Sequence, residues 1–249
     1  MISAPHRIGR DRVMRVVAFL LGLFAASLDV CAEEIQQAPP TNGVCPVPAD
    51  EHWKPQEQFD WKRVCLGDEA NFNIEPGYGG ELDPKDPAGL PESRVLSSNF
   101  LATILLSDKY RHALTRRGVR ITGARFTELV DLENAELSNE LWLDRSLLGK
   151  GADLQGLRST RRMTLDRAKV TGPLNMSQLE LRGDLSIGGA EIAAVRLSFA
   201  RVGGSLNLSE STATEDLDMQ GLRVDGVLAM DNAKFTGIDL TFARVSWLF

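Results

Sequence analysis

The chain has 249 residues, of which 43% are hydrophobic and 25% are charged, and its formal net charge is −6. This composition suffices for one substantial hydrophobic core and excludes a chain that is disordered throughout. The acidic balance also argues against a nucleic-acid-binding protein, which needs clustered lysine and arginine, so we expect no nucleic-acid partner.

The first 32 residues have the features of a secretory signal peptide. An apolar stretch at residues 16–26 follows four arginines, and Val30-Cys31-Ala32 provides a small-residue cleavage site before Glu33. Because this apolar stretch is too short to span a bilayer, we expect an exported protein, periplasmic or secreted, with no transmembrane span in the mature chain. Lipid attachment at Cys31 is the weaker alternative, since Asp29 and Val30 are poor residues before a lipidated cysteine.

Residues 33–95 are expected to form a linker and a disulfide-containing N-terminal segment. Cys45 and Cys65 are the two cysteines that remain after the leader. An even number of cysteines in an exported chain favours a disulfide between them. Trp53 and Trp61 are expected to pack near this bridge.

Residues 96–117 are expected to form a helical cap. Ser97 or Ser98 can serve as the N-cap of a helix whose apolar stripe contains Leu101, Ile104 and Leu105. An open solenoid end exposes apolar side chains and unpaired strand edges, so it needs such a cover.

Residues 118–249 contain a repeat in which an apolar-x-apolar triplet returns every 10 or 11 residues. The triplets begin at Val119, Val130, Leu141, Ala152, Met163, Leu174, Leu185, Val195, Leu206, Leu217, Leu228 and Ile238. Each unit has two inward-facing pairs of residues with a phase slip between them, which predicts two short strands joined by a turn. Two units then make one coil. The prediction is a mainly β protein, a right-handed, four-sided parallel β-helix of about six coils. Residues 174–202 also realign onto 217–245 at an offset of 43, which indicates tandem duplication.

Stacked coils place the outward residues of successive units in columns. One column contains Asp131, Asp153, Asn175, Arg196, Asp218 and Asp239. The column on the next face contains Glu136, Arg158, Glu180, Arg201, Arg223 and Arg244. Such columns could hold a cation or a charged polymer. The alternative is a solvated rod with corner salt bridges such as Asp218–Arg223 and Asp239–Arg244.

Two further surfaces are candidates for contact with a partner. Trp142 is the one large aromatic residue in the opposite column of apolar-x-apolar triplets, where we expect it to be exposed. The chain ends at Trp247-Leu248-Phe249, directly after a repeat unit. Either this end docks, for example onto a second copy in a homodimer, or the chain is a shortened form of a longer protein.

The repeat and several upstream segments resemble the pentapeptide-repeat-related β-helix proteins of bacteria, and in particular a secreted group often labelled "membrane-associated oxidoreductase". The resemblance extends through residues 59–65, 100–106, 118–121 and 131–135 and covers nearly the whole mature chain. It implies a right-handed β-helix. The oxidoreductase label has no motif behind it in this chain.

No catalytic signature accompanies the repeat. After the leader only His52 and His112 remain, and the chain has no His-x-x-x-His or Cys-x-x-Cys spacing, no P-loop and no Gly-x-Ser-x-Gly. We therefore expect no catalytic, metal-binding or cofactor-binding residues. The expected function is a non-catalytic exported scaffold that binds a protein or an envelope component. The alternatives are a subunit or truncated form of a membrane-associated enzyme and, less favoured, a DNA mimic that binds a topoisomerase.

Overall fold

The computed structural model describes residues 43–81 and 91–248, all within one compact unit of residues 40–249. Parallel strands stack as a β-solenoid of about six turns, with few helices, so the predicted fold class is confirmed. The proposed signal peptide, Cys31 and Phe249 lie outside the described residues.

Four ladders of parallel strands form the faces of the solenoid, and each ladder takes a short strand or half-strand from successive coils. Face 1 contains β1 (Ala70–Asn71), β3 (Val119–Thr122), β7 (Leu141–Asp144), β11 (Met163–Thr164), β14 (Leu185–Ser186) and β17 (Leu206–Asn207). Face 2 contains β2 (Val95–Leu96), β4 (Arg125–Phe126), β8 (Leu147–Leu148) and β18 (Thr212–Ala213). Face 3 contains β5 (Val130–Asp131), β9 (Ala152–Asp153), β19 (Leu217–Asp218) and β21 (Ile238–Asp239). Face 4 contains β6 (Glu136–Leu137), β10 (Arg158–Ser159), β13 (Glu180–Leu181) and β16 (Arg201–Val202).

Longer strands turn a corner and pair on two faces. Faces 2 and 3 share β12 (Lys169–Asn175) and β15 (Glu191–Arg196). Faces 4 and 1 share β20 (Arg223–Ala229) and β22 (Arg244–Leu248). The register shifts where β12 and β20 turn, so each strand continues onto the next face without a break in the chain.

The core lies along the axis of the solenoid and is made by both inward-facing pairs of each unit: the first and third residues of the triplet, and a second pair such as Leu179 and Leu181. Met163 pairs with Leu141 on one side and with Leu185 on the other, so aliphatic side chains stack directly upon one another. Leu174, Leu185, Leu206 and Leu217 are completely buried. Full burial of one such side chain stabilises the fold by roughly 2–3 kcal/mol, and the repetition in every coil makes a continuous hydrophobic core.

One corner in every unit is made by a residue with positive φ, three positions after the outward residue of the triplet. These residues are Gly123, Asn134, Arg145, Gly156, Arg167, Gln178, Gly189, Phe199, Glu210, Gly221, Asn232 and Phe242. The left-handed conformation suits glycine and asparagine, and it is strained for larger residues. The corner is thus a fixed feature of the repeat that several side chains adopt against their own preference.

The N-terminal segment closes one end of the solenoid. Its helices are α1 (Pro55–Val64), α2 (Ser98–Leu106) and α3 (Asp108–Arg111). Ser97 is the N-cap of α2, since its hydroxyl accepts a hydrogen bond from the Phe100 amide at 3.1 Å. Phe100, Leu101, Ile104 and Leu105 are buried in the same cluster as the first coils. The helical cap is therefore part of the same hydrophobic core.

The parallel strands of the solenoid begin earlier in the chain than the sequence repeat does. Strand β1 pairs with β3, and strand β2 pairs with β4, so both strands extend the sheets upstream of residue 118. Arg94 is buried beside β2, and its guanidinium donates hydrogen bonds to Asn73 Oδ1 at 2.8 Å and to the Gly123 carbonyl at 3.1 Å. It also donates to the carbonyls of Tyr78 and Gly80. This single side chain ties the segment before the repeat to the first corner.

The disulfide between Cys45 and Cys65 is present, with a Cα–Cα distance of 5.6 Å. It lies against the aromatic cluster that was expected around it. The buried Trp61 donates its Nε1 hydrogen to the Val47 carbonyl at 2.8 Å, and Trp53 contacts Trp61 edge to face with a centroid distance of 6.1 Å. The bridge closes a loop with a sequence separation of 20 residues and ties the C-terminal end of α1 to the segment around Cys45.

Candidate functional site

The outward residues of face 4 form the column that the repeat predicted. Parallel pairing places Arg158 between Glu136 and Glu180, Glu180 beside Arg201, and Arg223 between Arg201 and Arg244. The six residues therefore stand in line along the axis, one in each coil. Adjacent strands in a sheet are about 4.8 Å apart, which sets the spacing of these charges at their backbones.

The first half of this column is neutralised within the protein. Arg158 lies 3.6 Å from a carboxylate oxygen of Glu136 and 3.5 Å from one of Glu180. Each contact joins exposed side chains and contributes at most about 1 kcal/mol. The two glutamates and one arginine leave a net formal charge of −1 at this end of the face.

The second half of the column is different, because three arginines follow one another. We call Arg201, Arg223 and Arg244 the arginine stack. In the part of the chain that the structure describes, none of the three has a carboxylate oxygen within 4.0 Å. Like charges directly opposite each other on neighbouring strands destabilise a sheet. The arginine stack is therefore an unneutralised basic strip that the fold itself does not require.

A shallow groove of about 650 Å³ runs along face 4 beside this column. It follows the first four residues of the column, and its charged lining includes Glu136, Arg158, Glu180, Arg182, Arg201 and Asp225. From Glu180 onward, the face has four arginines (Arg182, Arg201, Arg223 and Arg244) against Glu180 and Asp225, a net formal charge of +2. This local charge contrasts with the acidic balance of the whole chain.

Exposed phenylalanines border the arginine stack at the corner between faces 3 and 4. Phe199 and Phe242 occupy positive-φ corner positions, with φ of 58° and 60°, two residues before Arg201 and Arg244. Their exposed fractions are 57% and 82%. Between them in the column is Gly221, where an added Cβ would lie 2.7 Å from the Phe199 ring. Glycine at this position lets the Phe199 ring lie along the corner toward the next coil.

The acidic column on face 3 has a structural use. The side chains of Asp131, Asp153, Asp218 and Asp239 each accept a hydrogen bond from the backbone amide two residues later, at 2.8–3.1 Å. These Asx turns fix the chain as it leaves the strand. The bonds from Thr241 also lower the pKa of the Asp239 carboxyl.

The predicted corner salt bridges are not formed. Neither Asp218 and Arg223 nor Asp239 and Arg244 approach within ion-pair distance in the described chain. The reason is that each aspartate turns one oxygen to the backbone of its own corner. Arg223 and Arg244 are consequently left without these acidic partners.

Trp142 is half-buried on face 1, in contrast to the exposed side chain that was expected. Its ring lies between the guanidiniums of Arg120 and Arg162, with centroid distances of 5.2 Å and 5.7 Å. Beside it, Asp144 accepts hydrogen bonds from the Thr164 hydroxyl at 2.7 Å and the Asp166 amide at 2.9 Å. Burial raises the pKa of Asp144. These contacts join successive coils, and they hold Trp142 against the protein's own side chains.

The C-terminal coil exposes residues that are buried in earlier coils. Ile238 is 45% exposed, whereas its stacking neighbour Leu217 is completely buried. Trp247 and Leu248, two of the expected contact residues, are also exposed on β22. The aliphatic and aromatic side chains at this end therefore form an apolar surface.

Histidine and cysteine do not form a further site in the described residues. His52 contacts Asp50 Oδ1 at 2.9 Å on the surface, and His112 contacts the Asp108 carbonyl. Within residues 43–81 and 91–248, no group of three or more His, Cys, Asp or Glu side chains is arranged to hold a metal ion. None of the helices in these residues has the length and apolar character needed to cross a membrane.

Comparisons of the chain with protein-family models, with curated proteins and with solved structures find no match. The function therefore has to be inferred from the residues of this chain. Among these, the arginine stack and the exposed phenylalanines beside it have no evident role in stabilising the fold.

Proposed function

We propose that this chain is a non-catalytic, exported binding scaffold of the bacterial cell envelope, and that the arginine stack binds an anionic component there. The solenoid supplies a rigid face on which successive coils present side chains at a constant spacing. The Cys45–Cys65 disulfide is consistent with export to an oxidising compartment.

One observation carries this proposal, namely the contrast between the two halves of the face 4 column. Arg158 has a carboxylate on either side, but Arg223 has an arginine on either side, and Arg201 forms no ion pair with its neighbour Glu180 in the described chain. Since stacked like charges oppose folding, their presence is accounted for by an anion that binds across them. Guanidinium groups are well suited to carboxylates and phosphates because they donate two parallel hydrogen bonds.

The test measures binding of the mature protein to fluorescent poly-L-glutamate and polyphosphate, with neutral dextran as the reference. We expect both polyanions to bind at low salt, and the affinity to fall as salt screens the charges. The triple variant R201Q/R223Q/R244Q should lose binding, whereas R158Q, from the same column, should retain it. Equal binding by the two variants, or no binding of either polyanion, would overturn the proposal.

A second contact is proposed at the C-terminal end, where Trp247 and Leu248 are exposed next to the apolar residues of the last coil. This surface supports the expectation of a homodimer through Trp247, Leu248 and Phe249. Light scattering of the purified protein should give twice the monomer mass, and the variant Trp247→Glu should return it to the monomer mass. A monomer at all concentrations would exclude this contact.

No feature of the described residues favours the alternatives of an enzyme subunit or a topoisomerase-binding DNA mimic. A flavin spectrum in the purified protein would support the enzyme subunit. Inhibition of DNA supercoiling by the mature chain would support the DNA mimic.

A further inference from the structure

We infer that the ligand of the arginine stack is a linear acidic polysaccharide, a glycan with a carboxylate on each successive sugar, whose chain runs parallel to the solenoid axis. This inference rests on the proposed function and specifies the chemistry of the anion.

The first argument is the shape of the basic strip. The three arginines occupy consecutive coils in strict parallel register, so their backbones span two strand spacings, about 10 Å along the axis. A single phosphate or carboxylate can contact only one or two of them at once. A linear polymer with regularly spaced negative charges can contact all three, and the strand spacing is comparable to the length of one hexose in an extended glycan.

The second argument is the aromatic border. Phe199 and Phe242 are strongly exposed, and both precede an arginine of the stack by two residues. Large exposed aromatic residues next to a charged strip suit a ligand that has both an apolar face and a charge. A pyranose ring has an apolar C–H face that packs on an aromatic ring, and a uronic acid adds a carboxylate at its edge. Inorganic polyphosphate has the charge without the apolar face.

The third argument is the glycine between the two phenylalanines. An added Cβ at Gly221 would lie 2.7 Å from the Phe199 ring, so glycine there lets this ring lie along the corner toward the next coil. The two exposed phenylalanines and the three arginines therefore lie next to each other along one edge of face 4. A linear polymer that follows this edge can contact the rings and the guanidiniums along its length.

The experiment is calorimetric titration of the mature protein with oligogalacturonides of increasing length and with neutral oligosaccharides of the same lengths. We expect affinity to rise up to three sugars, because three arginines are then occupied, and to change little beyond that. The neutral series should not bind. Arg223→Gln should weaken binding of the trimer about tenfold, while Arg158→Gln leaves it unchanged.

Substitution of a phenylalanine tests the proposed contact with the sugar ring separately from the contacts made by charge. Phe242→Asn keeps a residue that tolerates the positive φ and removes the ring, so the fold should persist. We expect binding of the trimer to weaken about fivefold, and binding of polyphosphate to stay unchanged.

Two further probes, polyphosphate and single-stranded DNA, separate the possible failures. If polyphosphate binds through Arg223 and oligogalacturonides do not, the polysaccharide is excluded and the anionic scaffold stands. Tighter binding of DNA than of oligogalacturonides would also overturn the inference and assign the phenylalanines to base stacking. If none of the anions binds, the inference and the proposed function fail together.

Discussion

Replacing Arg223 by glutamate should make the protein more stable and at the same time abolish anion binding. The substitution places a carboxylate between Arg201 and Arg244, which pair with Arg223 in register on β16 and β22. The new order would reproduce, with opposite signs, the arrangement of Arg158 between Glu136 and Glu180.

The magnitude follows from the contacts that change. Two like-charge neighbours become two ion pairs, and each exposed contact of either kind amounts to a few tenths of a kcal/mol. After allowance for solvent screening, the gain should be about 1 kcal/mol at low salt, or about 3 °C in Tm for a domain of this size. Arg223→Gln removes the repulsion without adding attraction and should give about half of this gain.

Thermal unfolding followed by circular dichroism at low and high salt measures the effect. The gain for Arg223→Glu should shrink at high salt, because screening weakens both the original repulsion and the new attraction. The mirror variant Arg158→Glu, which creates three stacked glutamates, should be destabilised by a similar amount. If Arg223→Glu lowered the Tm, the idea that the stack opposes folding would be wrong, and Arg223 would have a structural partner in solution.

Three other predictions concern the rest of the fold. Burial, together with the charge of Glu57, raises the pKa of Asp60 well above its ordinary value, so the folded protein holds a proton there that the unfolded chain releases near pH 4. Stability should therefore fall as pH rises above about 4, by about 1.4 kcal/mol per pH unit until the folded pKa is reached, and Asp60→Asn should remove this decline in urea titrations. Gly118 and Gly189 both have φ near 66°, but an added Cβ would meet a backbone atom 2.1 Å away only at residue 118. Calorimetry should therefore show that Gly189→Ala lowers the free energy of unfolding by about 1 kcal/mol and that Gly118→Ala lowers it by several. Reduction of the disulfide should lower the free energy of unfolding by about 3 kcal/mol, and an unchanged urea midpoint would show that the loop is held by its packing alone.

The repeat made the solenoid predictable because the same inward positions recur at a fixed interval. Leu141, Met163 and Leu185, each the first residue of a triplet, are indeed paired on face 1. Local sequence placed the helix cap at Ser97 or Ser98, and the even number of cysteines after the leader predicted the Cys45–Cys65 bridge. For the repeat and the cap, a short-range pattern determines the structure, whereas the bridge followed from the number of cysteines.

The N-terminal segment was less predictable, since long-range contacts shape it. Helix α1 has Pro55 at its first position, a helix-start signal that was not used. Strands β1 and β2 have two residues each and join the sheets only because β3 and β4 are present to pair with them. The sequence around Arg94 contains no pattern that predicts the burial of this side chain among carbonyl groups.

The sequence predicted which residues form the surface columns, but it predicted only part of what those residues do in the structure. The register of Glu136, Arg158 and Arg201 on face 4 followed from the repeat length. The use of the aspartates on face 3 as turn residues did not, although an Asp or Asn at the same position of several units is a signal for Asx turns. The positive φ of Phe199 and Phe242 was missed because phenylalanine rarely adopts it.

The most direct test of the binding site is nitrogen-15 NMR of the arginine side chains during titration with trigalacturonate. The Nε–H signals of Arg201, Arg223 and Arg244 should shift together and saturate at one ligand per protein, while the signal of Arg158 stays in place. Shifts spread evenly over all surface arginines, or confined to Arg158, would contradict the assignment of the arginine stack as the anion-binding site.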